Sequence, residues 1–212
     1  MKKYRFPIIV ILLIFGLNAL FYFINKTIIT DYHLIGWPID DKIPAIWSFI
    51  WFYNIWYPFQ IIVLFLLFKQ DKKTFIRVTL ALAISLIISH IIYFIYPTIV
   101  DRPLIETYDN ITMWLVYITF LADTPPVNCL PSVHSLICFL VIFATISNKN
   151  LKLRWKYLIY FVNMMIVLAT LFVRQHVLID PIASLILAIG TYYILNRTKL
   201  FKRAEEKLAK YC

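Results

Sequence analysis

The chain has 212 residues, of which 62% are hydrophobic, 17% aromatic and only three glycine, and it carries a formal net charge of +10. That composition excludes a soluble protein and defines an integral membrane one. The excess of positive charge sits in loops and termini, where it signals topology and contact with anionic lipids. No basic surface is interleaved with stacking aromatics, so nucleic acid is not an expected partner.

Runs of about twenty apolar residues match a hydrocarbon layer roughly 30 Å thick at about 1.5 Å per helical residue. Six are predicted as transmembrane helices, at about 7–25, 45–68, 78–97, 130–147, 157–173 and 178–196, and none contains Lys, Arg or Glu. The first follows Met1-Lys2-Lys3-Tyr4-Arg5 and resembles a signal peptide, but it is long and lacks a small-residue cleavage site, so it is read as retained. Asp40-Asp41 lacks the partners of a calcium loop and reads as a polar bend before the second span. Trp and Tyr residues around 47–57 read first as an aromatic belt with packing, and second as a wall for a lipid tail. His90, midway along the third span, is read as a neutral imidazole bonded to a neighbouring helix.

The stretch Ile111 to Ala122 is too short to cross and is expected as an interfacial or re-entrant helix between spans three and four. Cys129 and Cys138, nine residues apart, are placed on one helix about 13 Å apart along its axis, too far for a disulfide, with Cys212 across the membrane. The basic tail 197–212 is expected to include a solvated juxtamembrane helix over 199–210. With no repeat or linker, residues 1–212 read as a single all-α integral membrane domain.

Seventeen of the 21 Lys and Arg fall at the N-terminus, in 69–77, in 149–156 and in the tail from Arg197. The opposite side has only Lys26, Lys42, Arg102 and Arg174, together with eight of the eleven acids: Asp31, Asp40, Asp41, Asp101, Glu106, Asp109, Asp123 and Asp180. Cationic loops stay in the cytoplasm, so both termini are expected inside.

This orientation places the chemistry-bearing residues at one outer face. Pro131-Ser132-Val133-His134 opens the fourth span, His176 to Asp180 opens the sixth, Arg174 closes the fifth, and Arg102-Pro103 begins the loop after the third. Helix starts present unpaired N–H groups and a positive dipole end, which together suit an anion. Pro131 suits a first helical turn and Ser132 offers a hydroxyl beside it. His176 and Asp180 are four apart, so on a helix the carboxylate reaches the imidazole and fixes its tautomer, giving a nucleophile with its orienting partner. Pro181 leaves open a second arrangement, in which Asp180 caps a helix that starts one residue later. His134 suits a general acid, and Arg102 and Arg174 suit phosphoryl oxygens. The rival reading of His134, His176 and Asp180 as metal ligands is disfavoured by the neighbouring arginines, and neither a metal nor another cofactor is expected.

These residues resemble the type 2 phosphatidic acid phosphatases, the PAP2 superfamily. The family pattern Lys-x₆-Arg-Pro, Pro-Ser-x-His and Ser-Arg-x₅-His-x₃-Asp is matched at Arg102 and Pro103, at Pro131, Ser132 and His134, and at His176 and Asp180. The resemblance covers about residues 95–184 and implies metal-independent lipid phosphate chemistry through a phosphohistidine, with His176 as nucleophile, Asp180 as orienter and His134 as acid. The chain departs from the pattern where Ile95 replaces the lysine and where Ala169-Thr170 replaces Ser-Arg. Arg174, four residues after Thr170 and on the same helical face, is the expected substitute, with Thr170 as support. The altered pattern is similar to the branch with inositol phosphorylceramide synthases, which pass a phosphorylated head group to an alcohol.

The expected function is hydrolysis of a lipid phosphate or isoprenyl pyrophosphate at the extracytoplasmic face of a cell membrane. The alternatives are a lipid head-group phosphotransferase and a non-catalytic lipid-binding or transport protein. Low Gly and high Ile and Lys point to a bacterium with an AT-rich genome.

Overall fold

The computed structural model describes residues 4–105 and 108–211. Lys2, Lys3, Glu106 and Cys212, which entered the charge and cysteine readings, lie outside the described residues. The helices are α1 (Arg5–Ile28), α2 (Ile50–Asn54), α3 (Trp56–Gln70), α4 (Lys72–Ile95), α5 (Ile111–Ala122), α6 (Val133–Ser147), α7 (Leu153–Phe172), α8 (Ile179–Ile189) and α9 (Lys199–Ala209). Two short parallel strands, β1 (His33–Leu34) and β2 (Thr98–Ile99), pair His33 with Thr98 and Leu34 with Ile99.

Helix starts follow from the sequence. Asp71 caps α4 by accepting from the Lys73 N–H at 3.0 Å, Asn110 caps α5 through the Met113 N–H, and Ser132 caps α6 through the Ser135 N–H. The helix α6 forms the centre of the bundle and packs against α3, α4, α7 and α8, with Leu136, Ile137, Leu140, Val141 and Ala144 fully buried. Polar pairs cross the same core: Gln60 on α3 donates to Asn163 on α7 at 2.8 Å, and Ser85 on α4 donates to Thr191 at 2.8 Å. Among the described residues Cys129 and Cys138 are free; Cys129 lies in a loop rather than on a helix with Cys138.

Four helical segments are long and apolar enough to cross a membrane: Arg5–Ile28, Trp47–Gln70, Lys72–Ile95 and Leu153–Phe172. They correspond to the predicted first, second, third and fifth spans. The fourth and sixth predicted spans form the shorter apolar helices Val133–Ser147 and Ile179–Ile194. The fourth is shortened at its start, where 130–132 leave helical geometry, while the sixth loses one residue at its start and two at its end; 130–132 and 173–178 build loops at one end of the bundle. The segment 111–122 is the short separate helix that the sequence predicts.

Candidate active site

The loops before α6 and α8 meet at that end. Ser184 on α8 donates to the carbonyls of Ser132 at 2.8 Å and of Asp180 at 2.7 Å, which joins the two helix starts. Tyr93 on α4 donates to the Pro131 carbonyl, and Thr98 Oγ1 accepts from the N–H groups of Cys129 and Leu130. The helix α6 begins at Val133, so Pro131 precedes the cap and does not fill the first helical turn. The Ser132 hydroxyl serves as that cap. Among the described residues the N–H groups of Val133 and His134 find no acceptor, as at any helix start, and so are open to an anion.

His176 Nδ1 meets Asp180 Oδ2 at 2.9 Å, with side-chain exposures of 8% and 0%. The sequence spacing suggested a helical turn, but His176 lies in the loop before α8 and only Asp180 is helical. Asp180 is in the first turn of α8 and Pro181 follows inside it, where a missing N–H costs nothing, so the helix does not start one residue later. The carboxylate also accepts from the Val177 N–H at 3.2 Å, which fixes the loop that carries the imidazole. His134 approaches from α6 with its ring centroid 5.7 Å from that of His176. Tyr53 and Trp56 pack against the His134 ring at 4.7 and 4.3 Å and set its plane.

The arginines behave differently from expectation. Arg174 does not continue the α7 face beyond Thr170: α7 ends at Phe172, and Arg174 sits at φ +58° in the left-handed region. Its N–H bonds the Leu171 carbonyl at 3.0 Å and the Gln175 N–H bonds the Thr170 carbonyl at 3.0 Å, a helix-terminating motif in which glycine usually holds the left-handed position. The Arg174 guanidinium donates to the carbonyls of Asp40 and Ile43, the former at 2.9 Å. Thr170 is buried and donates to the Val167 carbonyl.

Arg102 donates to Asp123 Oδ2 at 3.3 Å, Gln175 Oε1 at 2.8 Å and the Asp123 and Phe120 carbonyls at 2.7 and 3.1 Å, and lies 4.4 Å from the Phe120 ring centroid. Pro103 beside it is exposed. The structure therefore brings His134, His176, Asp180 and Ser132 together, and holds both guanidinium groups against acceptors of the chain itself.

Several contributors were not singled out from the sequence. Asp40 is not merely a polar bend: it accepts from the Trp37 N–H and the Leu178 N–H, both at 2.7 Å, and so anchors the His176 loop from the far side. Tyr22 on α1 donates to Asp123. Burial raises the Asp123 carboxyl above its ordinary value, against the opposing pull of Tyr22 and Arg102. Cys129, His176 and Asp180 each place one potential metal-ligand atom within 4.8 Å of the others. Burial, then the charges of Asp180 and Asp123, push the Cys129 thiol well above its ordinary value. His90 bonds Asn18 and Asn25 of α1 at 3.3 and 3.4 Å, which agrees with its reading as bonded to a neighbouring helix.

A cavity of about 640 Å³ opens between these elements, lined among others by His134, His176, Tyr53, Asn128, Gln175 and Tyr22. A bundle of apolar helices with two histidines, one of them paired to a carboxylate, at one cavity has the parts that phosphoryl transfer in a membrane protein uses. The family model described as the PAP2 superfamily matches residues 33–194, and the chain belongs to that superfamily. Its members are phosphatases or phosphotransferases, which supports an enzyme. No curated protein and no solved structure matches the chain.

Proposed function

We propose that the protein hydrolyses a lipid phosphate or isoprenyl pyrophosphate at the extracytoplasmic face through a phosphohistidine on His176. The observation that carries this reading is the 2.9 Å His176–Asp180 contact beside the His134 ring in one cavity. Nδ1 of His176 donates to Asp180, which leaves Nε2 free to attack phosphorus. As the Nε2–P bond forms, the bond from phosphorus to the lipid oxygen breaks, and protonated His134 gives its proton to that oxygen. Water then attacks the phosphohistidine, His134 takes its proton, and phosphate leaves with His176 restored. No metal is assigned to any step. Ser132, the open N–H groups at the start of α6, Arg102 and Arg174 support the anion, the arginines at their present positions through the loops they hold.

Six membrane crossings, with the termini in the cytoplasm, complete the proposal. The paucity of Lys and Arg on the loops around the cavity supports it, and so does the apolar character of α6 and of Ile179–Ile194. Basic residues at the opposite end then contact anionic lipid.

A second reading is a lipid head-group phosphotransferase. It is favoured by the reach of the cavity beyond the histidines to Asn18, Tyr57 and His90, which leaves room for an alcohol acceptor. One experiment separates the two: purified protein in chelator is given phosphatidate, phosphatidylglycerophosphate and an isoprenyl pyrophosphate, with and without an alcohol acceptor, alongside His176→Ala. Free phosphate from wild type alone supports hydrolysis, and a new phosphate monoester of the alcohol, formed only when the acceptor is present, supports transfer. Phosphate release that persists in His176→Ala removes His176 as nucleophile.

A further inference from the structure

The family pattern calls for two cations at positions that here are Ile95 and Thr170, and the two arginines nearby are turned toward the chain's own oxygens. The phosphoryl oxygens therefore need other donors. Two carboxamides answer to that description. Gln175 is 2% exposed; its Oε1 accepts from Arg102, while its Nε2 has no hydrogen-bond partner. Asn128 is 7% exposed, and neither its Nδ2 nor its Oδ1 has a partner. Buried polar groups are ordinarily satisfied, so two unsatisfied amides on one cavity call for a physical reason.

Both line the cavity that contains His134 and His176. Gln175 immediately precedes His176, and Asn128 immediately precedes Cys129, whose sulfur lies within 4.8 Å of the His176 and Asp180 ligand atoms. The loop that carries Asn128 is pinned to β2 through its own N–H, which bonds the Thr98 carbonyl at 3.1 Å. Asn128 adopts φ +60°, a left-handed conformation that Asn tolerates better than most residues, so the loop can turn the side chain inward there.

We propose that the Gln175 and Asn128 amides, with the open N–H groups of Val133 and His134, form a neutral cradle for the phosphoryl oxygens. Arg102 acts one bond away, by holding Gln175 Oε1 and leaving Nε2 without a partner in the chain. This inference rests on the phosphoryl-transfer reading and names the groups that hold the transferred phosphate.

The test uses orthovanadate, which adopts the five-coordinate geometry of a transferring phosphoryl group, and reads its thermal stabilisation of the purified protein beside kcat and KM on a lipid phosphate. Gln175→Glu keeps an acceptor for Arg102 and removes the donor; Gln175→Met removes the donor without adding charge; Asn128→Asp suits the left-handed backbone. The unliganded melting temperature shows which variants are folded, and either position suffices for the test. Stabilisation of wild type by orthovanadate, its loss in the folded variants, and a fall of about 10²-fold in kcat for Gln175→Met are expected. Stabilisation retained in Gln175→Met and Asn128→Asp overturns the cradle while leaving phosphoryl transfer standing. Wild type that neither binds orthovanadate nor turns over any lipid phosphate overturns both.

Discussion

In one wall of the cavity His176 meets Asp180 at 2.9 Å, whereas Arg102 and Arg174, which are not among the lining residues, form a second wall behind it and turn their guanidinium groups to carboxylate, amide and carbonyl oxygens of the chain itself. The arginine wall is scaffold, and it fixes the loops from which His176 and the two amides project. In a cavity set among apolar helices the difference has a physical basis: a guanidinium without acceptors carries a heavy desolvation cost, so the chain supplies them.

The sharpest way to break this comparison is to remove the histidine wall. His176→Ala should lower phosphate release by about 10³-fold or more, since His176 is the proposed carrier of the phosphoryl group. Asp180→Asn keeps the volume but weakens control of the His176 tautomer; a loss of up to about 10⁴-fold in kcat is the scale set by comparable pairs. Burst kinetics on a chromogenic lipid phosphate analogue measure both. If either variant turned over within a few fold of wild type, the histidine wall would lose its assigned chemistry.

Asp40 tests the scaffold next. Asp40→Ala leaves the Trp37 and Leu178 N–H groups without their carboxylate acceptor, at about 1–3 kcal/mol for each group that stays buried and unsatisfied. The melting temperature and kcat should fall together, because the Leu178 N–H is two residues from His176. A normal kcat in a destabilised variant would separate Asp40 from the site.

The sequence carried the histidines well, because each motif is local: Pro-Ser-x-His fixes a helix start and His-x₃-Asp fixes a pair. It also located the four longest spans and the short helix between the third and fourth, since hydropathy is additive along the chain. It did not reveal what the arginines bind. Arg174 looked like an extension of the α7 face, but the helix stops at Phe172 and the residue turns left-handed to meet Asp40, 134 positions earlier in the chain. Gln175 and Asn128 gave no signal, because carboxamides beside a loop are common and only burial without partners sets them apart. Contacts between distant loops decide these roles, and no local spacing encodes them.

Arg174 sharpens the scaffold side further. At φ +58° an alanine keeps the backbone penalty and loses the carbonyl contacts, while a glycine loses the contacts and escapes the penalty. Arg174→Gly should therefore melt higher than Arg174→Ala by roughly 2–4 °C, for a difference of about 1 kcal/mol in a chain of this size. Equal melting temperatures would mean that the left-handed turn costs nothing here.

The smallest effect belongs to Asp123, whose side chain is 29% exposed and whose contact with Arg102 is 3.3 Å long, so the ion pair itself contributes little. Burial raises its folded-state carboxyl above the ordinary range, so the folded chain holds the proton more tightly than the unfolded one. Wild type then loses stability as pH rises from the ordinary carboxylate value through the raised one, and levels off above it. Asp123→Asn lacks this titration, so its melting temperature relative to wild type should rise across that window; a constant difference would place the carboxyl at its ordinary value. Arg102 stays in position throughout, because the Asp123 and Phe120 carbonyls and Gln175 Oε1 do not titrate. Its hold on Gln175 Oε1 is therefore independent of the charge on Asp123.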